Sequence, residues 1–234
     1  MFHFKRFSID DSASAMKIGT DSVLLGACTP CANESRILDI GAGSGILALM
    51  MAQRNYGITV DAVEIDTLAG AQARENAILS PWSEQINIFC KSIQDFSTET
   101  SHRYSLIISN PPYFINSLKA HGKQRNLARH TDSLPVTELL HITSKLLTIN
   151  GKASFIFPSS SYDLWIQEAA KASLYPLQIT WVKSMPTMAP HRAMVLFMKE
   201  NAPDFNTQEM NIYSSRSLYS DIYKELTKDF YLNF

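Results

Sequence analysis

Residues 36–54 read RILDIGAGSGILALMMAQR, and no other stretch limits the fold as strongly. RILDI (36–40) is apolar and β-branched and predicts a short buried strand; ILALMMAQR (46–54) is apolar at helical spacing and predicts a helix. Only a loop carrying Gly41, Gly43 and Gly45 separates them. A strand that passes through glycines into a helix sets the unpaired N–H groups of the helix start beside the strand's carboxyl end. Such a unit belongs in a parallel sheet covered by helices.

The chain repeats the unit. VDAVEI (60–65), INIFC (86–90), YSLIISN (104–110) and ASFIFP (153–158) predict further strands. TLAGAQARENAIL (67–79), PVTELLHITSKLL (135–147) and SYDLWIQEAAKAS (161–173) predict helices, the second of them ended by Asn150-Gly151. LQITWV (177–182) and RAMVLFMK (192–199) are joined by a Met- and Pro-containing loop and predict an antiparallel pair. The expected class is α/β: a Rossmann-like, seven-stranded, mostly parallel sheet with helices on both faces and an antiparallel last strand. One compact domain is expected, with its body over residues 35–234 and residues 1–34 as an N-terminal segment.

Composition narrows the setting. The 234 residues are 45% hydrophobic and 18% charged, with a formal net charge of −1, which suits a globular protein with a sizeable core. Near-zero net charge argues against a protein that coats DNA nonspecifically. No apolar run approaches the roughly 20 residues of a membrane span. The start, MFHFKRFSIDDS, lacks the apolar core of a signal peptide, so a cytoplasmic protein is expected. Cys28 and Cys31 form a CxxC, but no second CxxC or close His pair completes a zinc site. A structural role for this pair and no metal are expected, as is a monomer.

The glycine loop carries more detail. Its spacing is G-x-G-x-G, not the G-x-G-x-x-G of dinucleotide sites, and Asp39 sits in the strand end. A carboxylate there opposes a pyrophosphate and suits a cationic cofactor with an amino group. About 20 residues on, Glu64 and Asp66 close the second strand. An acid at this place accepts both hydroxyls of a ribose. Glu64 is the better candidate, since it closes the strand, with Asp66 the alternative or else the cap of the next helix.

The fourth strand ends on SNPPYF (109–114). Proline cannot donate to a sheet ladder, so the strand stops, and the prolines hold Asn110 stiffly at its end.

Two motifs then resemble known families. Asp39-x-Gly41-x-Gly43-x-Gly45 is similar to the S-adenosyl-L-methionine loop of class I methyltransferases, and Asn110-Pro111-Pro112-Tyr113 resembles the [N/D/S]-P-P-[Y/F/W] motif of amino-methyltransferases. The resemblance implies that the fourth strand lies beside the first. It also implies that the cofactor ribose meets Glu64, beside Ile65. The cofactor adenine then rests at KSIQDF (91–96), with Asp95, or else Ser92, as acceptor and Ile93 as ring neighbour. Asn110 Oδ1 and the Pro111 carbonyl each accept an N–H of the substrate amine, whose lone pair then points at the sulfonium methyl; Tyr113 stacks on the base. In amino-methyltransferases a segment before the first strand closes over the methionine end of the cofactor. Here that is AMKIGTDSVLLGA (15–27), in which Thr20 or Asp21 is expected to cap a helix. The resemblance implies a cofactor contact at Thr20, an ammonium contact at Asp21 and a carboxylate contact at Lys17.

Across nearly the whole chain, FKRFSIDDSASAMKIGTDSVLLGA, VDAVEID, ISNPPYF, ARHTDSL and LTKDFYLNF resemble the bacterial valine-tRNA adenine-N6 methyltransferases. That resemblance implies a tRNA partner, with adenine 37 beside the anticodon as substrate. Clustered Lys and Arg are expected to meet its phosphates. Lys119, Lys123, Arg125, Arg129 and His130 border the reacting base, with Arg192 adding to that edge; Lys5 and Arg6 in FHFKRF form a second candidate. The aromatic C-terminal stretch IYKELTKDFYLNF either packs on the fold or touches RNA.

Rival readings are a protein glutamine methyltransferase, and a DNA adenine or ribosomal RNA guanine methyltransferase. Outside that class lie a nicotinamide oxidoreductase and a binding module without catalysis. Only about 35 residues precede the first strand, too few for the N-terminal helical domain of the glutamine enzymes. The glycine spacing and NPPY oppose the oxidoreductase, and intact Asp39 and Asn110 oppose the inert module.

Overall fold

A computed structural model of the chain describes residues 1–112, 134–201 and 205–234. Two short strands, β1 (Phe2–His3) and β2 (Ser8–Ile9), pair antiparallel ahead of the body. The body is built from β3 (Arg36–Ile40), β4 (Thr59–Glu64), β5 (Ile86–Cys90), β6 (Tyr104–Ser109), β7 (Leu147–Pro158), β8 (Tyr175–Lys183), β9 (Arg192–Met198) and β10 (Asn206–Asn211). They form one eight-stranded sheet in the order β10-β8-β9-β7-β6-β3-β4-β5. Every pairing is parallel except those of β9 with β7 and with β8. The first and fourth predicted strands, β3 and β6, are neighbours as expected.

The sheet has one strand more than expected. β10, NTQEMN, is polar, and of its six residues only Met210 is buried. It pairs along β8 at the sheet edge, held by Lys183 to Glu209 (2.6 Å) and by Gln208 to Thr180 (2.9 Å). An edge strand with one wet face carries little apolar periodicity, so the pattern that finds inner strands passes over it.

Helices cover both faces. α1 (Thr20–Cys28), α2 (Ile46–Arg54), α3 (Thr67–Ile78) and the C-terminal α7 (Asp221–Thr227) supply one core. α4 (Ile93–Glu99), α5 (Val136–Leu146) and α6 (Tyr162–Lys171) supply the other, in which Trp165 stacks on Phe157 at 4.3 Å. α2 is buried without a break from Ile46 to Ala52, which explains its nearly all-apolar sequence.

The strands' amino ends are bound together by one buried acid. Asp61 on β4 accepts from Arg36 Nε on β3 (2.8 Å), Asn87 Nδ2 on β5 (2.9 Å) and Tyr104 Oη on β6 (2.8 Å). A fully buried carboxylate persists only with such partners. These bonds lie at the end of the sheet away from the glycine loop.

The chain termini pack on each other. Phe4 and Phe7 are buried and stack at 4.7 Å; Tyr231 lies 5.9 Å from Phe4. Lys5 Nζ donates to the carbonyls of Lys228 and Phe234, both at 2.6 Å, and Arg6 sits over the Trp82 ring at 5.3 Å. Phe230 and Tyr223 are buried. The C-terminal aromatics therefore pack on the fold. Cys28 and Cys31 are both free thiols, and burial pushes Cys28 up to about 12, which suits a structural pair. Among the described residues no helix is long and apolar enough to cross a membrane.

Two local readings are corrected. Gly19, not Thr20 or Asp21, is the N-cap of α1, and no side chain caps it. Asn150-Gly151 does not end a helix: α5 stops at Leu146 and both residues lie within β7. Gly151 is needed there for a close approach, since an added Cβ would lie 2.9 Å from the carbonyl oxygen of Tyr104 on β6. Backbone cannot yield as a side chain does, so Gly151→Ala is expected to destabilise the fold by about 1–3 kcal/mol. Urea unfolding checks this: a lower midpoint is expected, and an unchanged one would mean that β7 shifts freely.

Candidate active site

The carboxyl ends of β3, β4, β5 and β6 converge on one edge of the sheet. β3 ends at Ile40, and Gly41, Gly43 and Gly45 carry it into α2 with φ of +73°, +55° and +87°. Only glycine adopts such angles without strain. A Cβ on Gly41 would meet nothing within 4 Å, so the loop's outer side is open; a Cβ on Gly45 would lie 3.4 Å from that of Ala73 on α3. The loop thus packs on α3 through Gly45 and presents bare backbone at Gly41. The Gly41 and Ala42 N–H groups both donate to the Val63 carbonyl, which ties the loop to β4.

Asp39 lies just beneath this loop and is fully buried. Its Oδ2 accepts from Ala48 N at 3.2 Å, at the start of α2, while Oδ1 finds no hydrogen-bond partner among the described residues. Burial pushes the Asp39 carboxyl up to about 7; the Ala48 N–H opposes the rise, and the negative charge of Glu64 adds a smaller push.

Glu64 closes β4 and its carboxylate spans two loops. Oε2 accepts from Gly43 N at 2.7 Å and Oε1 from Asp66 N at 2.9 Å. Asp66 itself caps α3, its Oδ1 accepting from Leu68 N and Ala69 N, both at 2.9 Å. Of the two acids that the sequence left open, Asp66 is therefore the helix cap and Glu64 faces the glycine loop. Between them Ile65 is 50% exposed, an apolar side chain left on the site's rim.

Beyond β5, Ser92 caps α4: its Oγ accepts from Asp95 N at 3.0 Å and donates to Asp95 Oδ2 at 2.7 Å. This resembles a capping box, so both residues have a structural use. The Ile93 side chain between them is buried in the core.

β6 ends beside the glycine loop. Asp39 pairs in register with Ile108, and Ser109 Oγ donates to the Ile40 carbonyl at 2.6 Å. Asn110 therefore stands next to Gly41. Its Nδ2 donates to Ser22 Oγ on α1 at 2.9 Å, which fixes the plane of the amide; Pro111 behind it is buried. Asp21 meets Arg192 at the start of β9, with Oδ2 accepting from Nε at 2.8 Å. Lys17 Nζ donates to the carbonyls of Asp11 and Ser12, at 2.6 and 3.0 Å, and Thr20 is exposed at the first position of α1. The sequence pointed Asp21 and Lys17 at a cofactor and Arg192 at RNA; here each has a contact within the chain. Tyr113, Lys119, Lys123, Arg125, Arg129 and His130 lie outside the described residues. No group of three or more His, Cys, Asp and Glu placed to hold a metal is found among the described residues.

Residues 12–134 match the methyltransferase small domain family. The tRNA1(Val) (adenine(37)-N6)-methyltransferase of Flavobacterium psychrophilum is 41% identical over 233 residues, 99% of each chain. Its counterpart in Bacteroides fragilis is 42% identical over 234 residues, 99% of this chain and 97% of that one. The chain belongs to this methyltransferase family. Solved structures agree on the fold. A crystal structure described as a predicted O-methyltransferase from Agrobacterium tumefaciens superposes on the methyltransferase with a TM-score of 0.69 at 18% identity, over 90% of this chain and 96% of that one. A ribosomal protein L11 methylase from Lactobacillus delbrueckii gives 0.57 at 16% identity, over 82% and 84%.

Several contacts in this methyltransferase's site escape sequence reading. Ser22 and Asn110 are 88 residues apart, and Asp21 and Arg192 are 171 apart. No local pattern announces either pair.

Asp39 gives a prediction with a defined sign. Its folded-state carboxyl sits above the ordinary 3.8, so the folded chain holds the proton more tightly than the unfolded chain. Stability is therefore lost as pH rises from 3.8 to about 7 and stays low above that. Asp39→Asn cannot ionise, so its melting temperature should overtake that of the natural protein by a few degrees at pH 8 and by much less near pH 4. A gap that does not change with pH would contradict an ionised, desolvated Asp39.

Proposed function

We propose that the protein transfers a methyl group from S-adenosyl-L-methionine to N6 of adenine 37 in tRNA1(Val). The observation that carries this reading is the side-by-side ending of β3 and β6, which sets Asn110 against Gly41 at one edge. The relatives' shared activity, at about two-fifths identity over the whole chain, supplies the substrate.

The residues present suit the cofactor. The orphaned Oδ1 of buried Asp39 accepts from an amino group, Glu64 accepts from ribose hydroxyls, the bare backbone at Gly41 admits close approach, and exposed Ile65 offers a surface for the adenine ring. When bound, S-adenosyl-L-methionine supplies an electrophilic methyl group on a sulfonium. Glu64 already links the glycine loop to the β4–α3 turn, so it is placed before any ligand arrives. Ser92 and Asp95 shape the turn after β5, and this turn is the proposed rest for the adenine end.

The exocyclic amine of adenine is a weak nucleophile, because its lone pair is delocalised into the ring. Asn110 Oδ1 and the Pro111 carbonyl accept its two N–H groups and turn the lone pair toward the methyl group. Tyr113 stacks on the base. The gain is orientation and stabilisation of the positive charge that develops on nitrogen. The product ammonium is acidic and loses its proton readily, so no strong base is needed. An adenine in the anticodon loop leaves its stack at modest cost to reach this pocket. Residues 1–34 belong to the same body and close over the cofactor site.

Asn110→Ala tests the assignment. Turnover on a tRNA1(Val) transcript should fall by about 10²–10³, while S-adenosyl-L-methionine binding measured by calorimetry stays within about twofold. Equal loss of binding and turnover would remove Asn110 from the positioning of the amine.

A further inference from the structure

Residues 10–18 cross the glycine loop as a strap, and α3 clamps them. Asn76, buried on α3, receives the Asp10 N–H on its Oδ1 (2.9 Å) and donates through Nδ2 to the carbonyls of Asp10 (2.8 Å) and Ser44 (2.9 Å). One side chain therefore holds both the strap and the loop. Gln72, one turn earlier, accepts from Ala13 N at 2.9 Å and donates to Ser12 Oγ at 2.9 Å. The strap also closes on itself, through Ser14 N to the Asp11 carbonyl (3.2 Å) and Ile18 N to Asp11 Oδ2 (2.9 Å).

Ser14 sits at the middle of this clamped segment. It is 3% exposed, and its Oγ finds no hydrogen-bond partner among the described residues. That hydroxyl faces the glycine loop: it lies 4.0 Å from where a Cβ on Gly43 would stand. A buried hydroxyl without a partner is unfavourable. Here the strap's backbone bonds on both sides leave it little freedom to turn away. The geometry resembles Asp39 Oδ1 beneath the same loop, a second buried polar atom awaiting a partner.

We propose that Ser14 is a further cofactor-binding residue, whose hydroxyl donates to the carboxylate at the amino-acid end of S-adenosyl-L-methionine. This rests on the cofactor reading above. A sulfonium has three substituents. Its methyl group is directed at Asn110 and its ribose at Glu64, so the amino-acid chain is the branch left to pass under the strap. A hydroxyl donating to a carboxylate makes a charge-assisted bond, stronger than one between neutral groups.

The test is calorimetric binding to the full-length protein of two nucleosides: S-adenosylhomocysteine, which keeps the amino-acid end, and 5′-methylthioadenosine, which lacks it. Ser14→Ala should weaken S-adenosylhomocysteine binding at least about tenfold and leave methylthioadenosine unchanged. Ser14→Thr, which keeps the hydroxyl, should recover most of the affinity. Thermal unfolding without ligand should show Ser14→Ala no less stable than the natural protein, because the hydroxyl removed has no partner. Unchanged S-adenosylhomocysteine affinity, or equal loss for both nucleosides, overturns the assignment. If the natural protein binds neither nucleoside, the cofactor reading itself fails and Ser14 falls with it.

Discussion

The site depends on the parallel pairing of β3 with β6. Because the two strands run together and end at one level, the glycine loop and Asn110 come out side by side. Were either strand to slip by one residue, its side chains would change faces and Asn110 would turn from the loop. Asp61 resists such a slip from the far end of the sheet, since one buried carboxylate is bonded to β3, β5 and β6 together. The network is therefore a structural device with a functional result: it fixes the distance between two loops that it does not touch.

At the carboxyl edge the same logic is repeated with polar side chains. Glu64 joins the glycine loop to the β4–α3 turn, Asn76 joins it to the strap, and Ser22 joins Asn110 to α1. The Asp21–Arg192 pair anchors α1 to β9, so the helix that holds Asn110 is itself tied to the sheet. These are partly buried bonds between groups whose backbones the core already fixes. Such an arrangement limits reorganisation during reaction, which is how fixed hydrogen-bond acceptors contribute most to catalysis. Asp39 is the exception, since its burial is unfavourable to the folded chain, and the most direct relief is a cationic partner at Oδ1.

The architecture was legible because its signals are local. A strand, a glycine loop and a helix follow one another within residues 36–54, and the prolines after Asn110 name the end of β6 directly. Asp66 was legible as a helix cap for the same reason. Features set by distant contacts were not. Gly151 follows a helix and so reads as its stop, whereas its role is set by the Tyr104 carbonyl across the sheet. Arg192 reads as a surface cation until the fold brings Asp21 to it. Ser14, Ser22 and Asn76 are ordinary polar residues in the sequence, and only folding places Ser14 and Asn76 at the glycine loop and Ser22 beside Asn110. β10 was missed because an edge strand needs few apolar residues.

In the proposed reaction this edge aims an adenine amine at a methyl donor. The most direct measurement is to incubate the protein with isotope-labelled S-adenosyl-L-methionine and total tRNA, then digest and map the label by mass spectrometry. Label is expected in N6-methyladenosine, at position 37 of tRNA1(Val) and at no other site. Label on a guanine or on another adenine atom, or a tRNA pool left unlabelled, would contradict it.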